Sequence, residues 1–137
     1  MNRLDFCQLM EQAKMVSGIS TSEISFSMKM LMPTLRRFEK GKHNFSLFKV
    51  IEYLQVIHAK LVIYNDKSFV DITEYNQLID WVVSARQGRY SQRKLTEAIG
   101  ISHATLAHVE SHKSHLSIDV LLKIIEVLGY NIKIESL

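Results

Sequence analysis

Apolar residues recur at three- and four-residue steps along most of the chain, which is the spacing of amphipathic helices that bury one face. In the first half, this pattern and the cap residues that bound it predict four helices. Gly18 and Gly41 follow the first and third of them as expected stop signals. The predicted ranges are about 4–17, 21–28, 32–40 and 47–57.

The second half begins with a change of pattern. Residues 60–64 and 68–72 are short β-prone runs around Asn65-Asp66-Lys67, which predicts a β-hairpin. Helical spacing then returns, and residues 130–135 alternate apolar and polar side chains as a strand does. The further helices are predicted at about 73–87, 92–99, 103–111 and 118–128.

The pattern after the hairpin repeats the pattern before it. Residues 20–64 align without a gap on residues 91–135, at a constant offset of 71 positions. The shared positions fall on helix caps and core positions of a helix-turn-helix, so their recurrence has a physical reason. We predict a mainly α fold of two tandem units, 1–64 and 73–137, each ending in a short strand and joined by a hairpin linker at 65–72. The identical pairs are Ser20/Ser91, Thr34/Thr105, Leu35/Leu106, Glu39/Glu110, Lys42/Lys113, Ser46/Ser117, Val56/Val127 and Ile63/Ile134.

Residues 90–110 carry a Ser-Gln helix start, a Gly turn and the Leu and Glu of a following helix. This segment resembles the phage-repressor-like (XRE or Cro-like) helix-turn-helix regulators. Residues 38–44, Phe-Glu-Lys-Gly-Lys-His-Asn, resemble the segment that leaves the recognition helix of that family. The resemblance implies two lambda-repressor-like units with recognition helices near 32–40 and 103–111. It implies a sequence-specific transcriptional regulator, such as a repressor, whose partner is double-stranded DNA.

The resemblance also implies which residues contact DNA. The recognition helix enters the major groove, and the start of the preceding helix and the loop that follows contact phosphates. Arg37 is the strongest candidate base reader, because arginine can bond both acceptors of a guanine edge. Arg36 lies beside it and fits either role. The groove-facing set is Met32, Thr34 and Arg37 with His103, Ala104, Thr105 and His108, and the phosphate-facing set is Thr21, Lys40, Lys42 and His43 with Gln92 and Lys113.

Two departures from the family pattern affect the turns. Lys29 stands where the turn glycine is expected, and residues 30–33, Met-Leu-Met-Pro, replace a polar reading face. That apolar surface fits contact with thymine methyl groups or with a protein. His112 stands where the first unit has Gly41. Because a non-glycine residue disfavours the left-handed conformation, we expect the two loops to differ in shape.

Charge separates the two units. The chain carries a net charge of +3, which suits an anionic partner. Residues 1–64 hold nine Lys/Arg against five Asp/Glu, whereas residues 65–137 hold eight against nine, so the first unit is the basic one. Cys7 cannot form an internal disulfide and is expected to pack in the first helix, and Trp81 is expected in the core or an interface.

Composition excludes several classes of protein. An apolar content of 47% excludes a mainly disordered chain, and no apolar run is long enough to span a membrane. The N-terminus lacks a signal-peptide pattern, so a cytoplasmic location is expected. No catalytic motif, cofactor motif or metal-ligand spacing is present, including among His103, His108, His112 and His115. We therefore predict neither an enzyme nor a cofactor or metal site.

The assembly leaves alternatives open. Two helix-turn-helix units in one chain predict an intrachain pseudo-dimer that binds half-sites about 34 Å apart. A homodimer is the other assembly expected. An alternative hypothesis is a protein-interaction module, such as an antitoxin that masks a toxin or an antagonist of another regulator, in which one unit does not bind DNA. The terminal strand at 130–135 motivates it, because an unpaired edge can add to the sheet of a partner.

Overall fold

The computed structural model describes all 137 residues as a mainly helical chain with one small antiparallel sheet. Each predicted helix and strand is present, and the bounds differ from the predicted ones by at most two residues. No helix combines the length and the apolar character that a membrane span requires. The elements are α1 Arg3–Ser17, α2 Thr21–Met28, α3 Met32–Glu39, α4 Leu47–Val56, β1 Ala59–Tyr64, β2 Phe69–Ile72, α5 Tyr75–Arg86, α6 Gln92–Ile99, α7 His103–Glu110, α8 Ile118–Leu128 and β3 Asn131–Ser136.

Serine side chains set the start of most helices. In α2, α4, α6, α7 and α8 the residue before the helix is a serine whose hydroxyl oxygen accepts a hydrogen bond from the backbone N–H three residues later, at 3.1 to 3.3 Å. Such a cap satisfies one of the free donors at a helix start. These starts were predictable, because a serine cap needs only local sequence.

The sheet joins the two halves of the chain. Its order is β2-β1-β3, and β1 pairs antiparallel with both neighbours. Val62 of β1 lies opposite Lys133 of β3, and Ser46 forms an isolated antiparallel bridge with Ser117. In both pairs the partners are 71 residues apart in sequence. The predicted hairpin is formed by β1 and β2, and its first strand is also the centre of the sheet that includes β3.

A single hydrophobic core runs through both halves. Two polar contacts close to the bridge add to this packing. Arg3 donates to Asp119 through two nitrogens, at 2.6 and 3.0 Å, and the backbone N–H of Asp119 donates to the side chain of Asn44 at 3.1 Å. The Arg3 hydrogen bonds hold the pKa of the Asp119 carboxyl below its usual range, despite the opposing effect of burial.

The apolar residues at the core of the two turns are buried. They are Ile24, Met28, Leu35 and Phe38 in the first half and Leu95, Ile99, Leu106 and Val109 in the second. Met30 and Ile101 are half-buried and pack against this core, and Cys7 is buried in α1. Trp81 is half-buried and meets Tyr130 edge-on, with ring centroids 5.1 Å apart.

The prediction that the loops after α3 and α7 differ in shape was wrong. Gly41 has φ +67° and His112 has φ +61°, so both occupy the left-handed region. The next residue closes each loop in the same way, with hydrogen bonds from Lys42 to Arg37 at 3.1 Å and from Lys113 to His108 at 2.8 Å. The left-handed conformation is about 1–2 kcal/mol less favourable for a non-glycine residue. The exposed His112 adopts it because the surrounding contacts fix the loop.

Candidate nucleic-acid interface

The turn between α6 and α7 is closed by backbone hydrogen bonds. Gly100 lies in the left-handed region at φ +75°, and the N–H groups of Gly100 and Ile101 donate to the Thr96 carbonyl at 2.9 and 3.1 Å. Leu95 and Leu106 are fully buried between the two helices. These contacts fix the angle at which α7 leaves α6, which is the geometric requirement of a helix that enters a groove.

The turn between α2 and α3 has the same backbone path with different residues. Lys29 takes the left-handed position at φ +53°, and the Met30 N–H donates to the Ser25 carbonyl at 3.0 Å. Leu31 precedes α3 and provides no side-chain cap. Pro33 is the second residue of α3 and has no N–H, so one donor that a cap would satisfy is already absent.

A buried ion pair anchors the end of α7. The guanidinium of Arg86 donates to both carboxylate oxygens of Glu110, at 2.7 and 2.8 Å, and the Gln92 amide donates to the same carboxylate at 2.8 Å. The side chains of Arg86 and Glu110 are only 10% and 8% exposed. Because these residues lie on α5, α6 and α7, the pair fixes α7 against both preceding helices.

Glu39 holds the end of α3 in a similar way. Lys14 of α1 donates to Glu39 at 2.9 Å and to the Thr21 hydroxyl at 2.6 Å, and the Tyr53 hydroxyl donates to Glu39 at 2.6 Å. Burial and the neighbouring Glu39 raise the pKa of Tyr53 far above its usual value, so the phenol stays a donor.

Three of these anchoring residues were not predicted from the sequence: Lys14, Tyr53 and Arg86. A signal was available for the two basic ones. Arg86 lies four residues after Val82, and Lys14 lies four residues after Met10, so each continues an apolar helical stripe with a charged side chain. A charged residue on a buried stripe requires a partner, and Glu110 and Glu39 provide it.

Most side chains predicted to contact DNA are exposed. Met32 is the half-buried exception on α3. Thr21 and Gln92 are also half-buried, because their side chains join the Glu39 and Glu110 networks. Thr105 is exposed, and its hydroxyl lies 2.7 Å from that of Ser102. The exposed members are Thr34, Arg36, Arg37, Lys40, Lys42, His43, His103, Ala104, Thr105, His108 and Lys113.

The apolar surface near α3 differs in its members from the predicted one. Met30 and Met32 are half-buried, whereas Leu31 is 77% exposed and Phe26 of α2 is 87% exposed. No group of three or more His, Cys, Asp or Glu side chains is placed to hold a metal ion. His115 instead stacks on Phe48, with ring centroids 4.6 Å apart.

The α5-to-β3 region is similar to a known family. Residues 85–134 match the family model HTH_3, described as helix-turn-helix. The matched range begins at the end of α5 and includes α6, α7, α8 and most of β3. Searches of curated proteins and of solved structures gave no match. The second half of the chain is therefore similar to a helix-turn-helix family over these residues, with α6 and α7 on either side of the turn.

Proposed function

We propose that this protein is a sequence-specific DNA-binding transcriptional regulator of the XRE kind, which acts as a repressor in the cytoplasm by occupying an operator. The observation that carries it is α7 within the matched segment. Its side chains His103, Ala104 and His108 point to solvent, while Glu110 fixes its end against α5 and α6. A rigid helix with an exposed polar face is what reading a major groove requires.

We propose further that the chain contains two tandem helix-turn-helix units, 1–64 and 73–137, that act as an intrachain pseudo-dimer. The pairing of residues 71 positions apart, at Ser46/Ser117 and Val62/Lys133, supports this, since a two-fold relation brings equivalent residues together. Lys29 and Gly100 share a left-handed turn position, which supports it independently. The preferred operator then has two half-sites about 34 Å apart.

Within each unit we assign two kinds of contact. Arg37 and His108 read base edges from α3 and α7. Lys40, Lys42 and Lys113 neutralise phosphates from the ends of α3 and α7 and the loops that follow, and His43 donates a hydrogen bond to a phosphate. Their exposure supports these roles, because no intramolecular partner occupies these side chains.

DNA selected from a random pool tests the specific function. Fluorescence anisotropy on the enriched sequence should give an affinity that falls steeply with salt. Arg37→Ala and His108→Ala should each relax the preference in one half-site, by about 1–3 kcal/mol of discrimination, or roughly 5- to 150-fold. Lys42→Ala and Lys113→Ala should weaken binding to all sequences and reduce the salt slope by about 0.9 each.

Lys67→Ala provides the matched control, because it removes one positive charge from the exposed β1–β2 turn outside both helix-turn-helix segments. It should leave the half-site preferences unchanged. If Arg37→Ala and Lys67→Ala have equal effects, the first unit contributes only charge. If no sequence is enriched, the chain is not a sequence-specific regulator.

A second candidate function is favoured by the exposed Phe26 and Leu31. In this alternative the first unit does not read DNA but binds a protein, such as a toxin or another regulator. Exposed apolar side chains of this size mark interaction surfaces more often than polar DNA interfaces. A Phe26→Ser and Leu31→Ser double variant that keeps the single-site DNA binding of the second unit but loses a stoichiometric protein partner would favour it. Loss of DNA binding alone would count against it.

A further inference from the structure

The strand β3 has one edge without a partner strand. It lies at the end of the β2-β1-β3 order, so only one side of it pairs with β1. Leu137 N–H donates to the His58 carbonyl at 2.9 Å. This hydrogen bond shows which residues of β1 and β3 form hydrogen-bonded pairs. Because antiparallel pairing alternates, Lys133 and Glu135 direct their backbone groups to β1, whereas Ile132 and Ile134 direct theirs outward.

The equivalent edge of β1 is covered by β2, whereas this edge of β3 is open. Asn65 N–H donates to the Ser68 carbonyl at 2.9 Å, so the same alternation directs Leu61 and Ile63 of β1 to β2. Leu61 and Ile63 lie 71 residues before Ile132 and Ile134. β2 also packs against α5. Ile132 and Ile134 of β3 direct their backbone groups to the corresponding edge, where no strand pairs with them.

A groove borders this open edge. α1 packs on β3, and between them lies a groove of about 510 Å³ whose lining is only partly apolar. Leu9, Val16 and Ile134 form its apolar part, and Asp5, Gln8 and Gln12 of α1 form its polar part. Val16 is exposed, although it is a large apolar side chain. An unpaired strand beside a partly apolar groove fits an added strand that alternates apolar and polar side chains.

We propose that β3 of a second copy of this chain pairs antiparallel with this edge, centred on Ile134. In this register the two Ile134 residues are opposite each other, and each Lys133 faces the Glu135 of the other copy. The registers centred on Lys133 or on Glu135 would instead place like charges opposite each other, which is unfavourable. The backbone N–H and C=O groups of Ile132 and Ile134 point away from β1. In the register centred on Ile134, the two Ile134 residues can therefore form a hydrogen-bonded pair.

The pairing also covers the groove. A two-fold axis through Ile134 extends the sheet to six strands and places both α1 helices on the same face, where Val16 and Leu9 meet the second copy. This interface uses neither α3 nor α7, so it does not depend on DNA binding. If the proposed function also holds, the dimer carries four reading helices.

Charge-swap variants of the full chain, without DNA, test the interface. Sedimentation velocity over a wide concentration range should give twice the chain mass of 15.8 kDa for the unchanged protein. Lys133→Glu and Glu135→Lys should each shift the mass towards the monomer, and the double variant should restore the dimer. Both side chains are close to half exposed, at 44% and 46%, so the fold should persist in each variant, as checked by circular dichroism.

Three results would overturn this assignment. One is a monomer at every concentration, and another is a dimer that neither single variant weakens. The third is a different protein that co-purifies on the β3 edge while this chain stays single. Lys133 and Glu135 also form an ion pair within the chain at 3.3 Å, which the double variant restores as well. A dimer formed by mixing the two single variants, whose charges are complementary only between copies, would identify direct pairing across the interface. Because no DNA is present, failure of specific DNA binding would leave the result unaffected.

Discussion

Replacement of Arg86 by methionine should destabilise the protein strongly, because it leaves the Glu110 carboxylate buried without its ionic partner. Arg86 provides both of the charged hydrogen bonds to Glu110, and only the neutral Gln92 amide would remain. Methionine has a similar length to the aliphatic part of arginine, so the packing loss is small. The main effect is electrostatic.

The size of the effect follows from burial. Breaking a buried ion pair by removing one partner costs about 3–5 kcal/mol, whereas an exposed pair contributes about 0–1 kcal/mol. The side chains of Arg86 and Glu110 are only 10% and 8% exposed, so the value for a buried pair applies to them. We expect a loss of about 3–4 kcal/mol, which corresponds to roughly 10–15 °C in Tm for a chain of this size.

Urea unfolding followed by far-UV circular dichroism measures the loss, with the slope of free energy against urea as a check on the unfolding mechanism. The double variant Arg86→Met with Glu110→Leu removes both charges, and its stability should return to within about 1 kcal/mol of the unchanged protein. Lys49→Met is the matched control, because the Lys49–Glu52 pair is 38% exposed on both sides. It should cost less than about 1 kcal/mol.

Two outcomes would refute this reasoning. A loss below about 1 kcal/mol for Arg86→Met would mean that water or a shifted side chain satisfies Glu110. A double variant as unstable as the single one would mean that packing around Arg86, rather than its charge, holds α7. In either case the buried pair would not be what fixes the helix.

Three further changes should have measurable effects on stability. Lys29→Gly should raise the free energy of unfolding by up to about 1 kcal/mol in thermal melts, because it relieves a left-handed residue at φ +53°, and a decrease would contradict this. Gly41→Ala should lower it by about 1–3 kcal/mol, since a Cβ at φ +67° would lie 3.0 Å from the Cys7 sulfur, and an unchanged melt would contradict this. The lowered pKa of Asp119 stabilises the fold above its unfolded pKa of about 3.9, and this contribution is lost as pH falls through the folded value. Asp119→Asn should therefore flatten the decline of the urea midpoint below about pH 4, and parallel curves for the two proteins would count against the Arg3 ion pair as its cause.

The elements and their ends could be predicted because their causes are local. Ser91 and Ser102 cap helices through bonds to residues three positions later, and Gly18 takes the left-handed conformation that ends α1. The caps and helix ends need only neighbouring residues and the period of a helix. Arg37 and His108 of the candidate site were instead assigned from the resemblance to a helix-turn-helix family, and both side chains are exposed.

The parts that failed depend on contacts between distant residues. The loop at His112 was wrongly predicted because glycine preference describes a single residue, whereas hydrogen bonds within the loop and packing of the whole chain fix its backbone. The Arg86–Glu110 pair joins residues 24 positions apart, and neither residue type specifies its partner. Only the folded chain brings the two charges out of water together.

The order of helices and strands and the basic first half follow from the amino-acid sequence alone, which also indicates a 71-residue repeat. The position of β1 between β2 and β3 and the pairing of Ser46 with Ser117 appear only in the folded chain. Strand pairing is set by which edges and apolar faces meet after the helices pack. A periodic pattern records that a face is buried, but it does not record which other segment covers it.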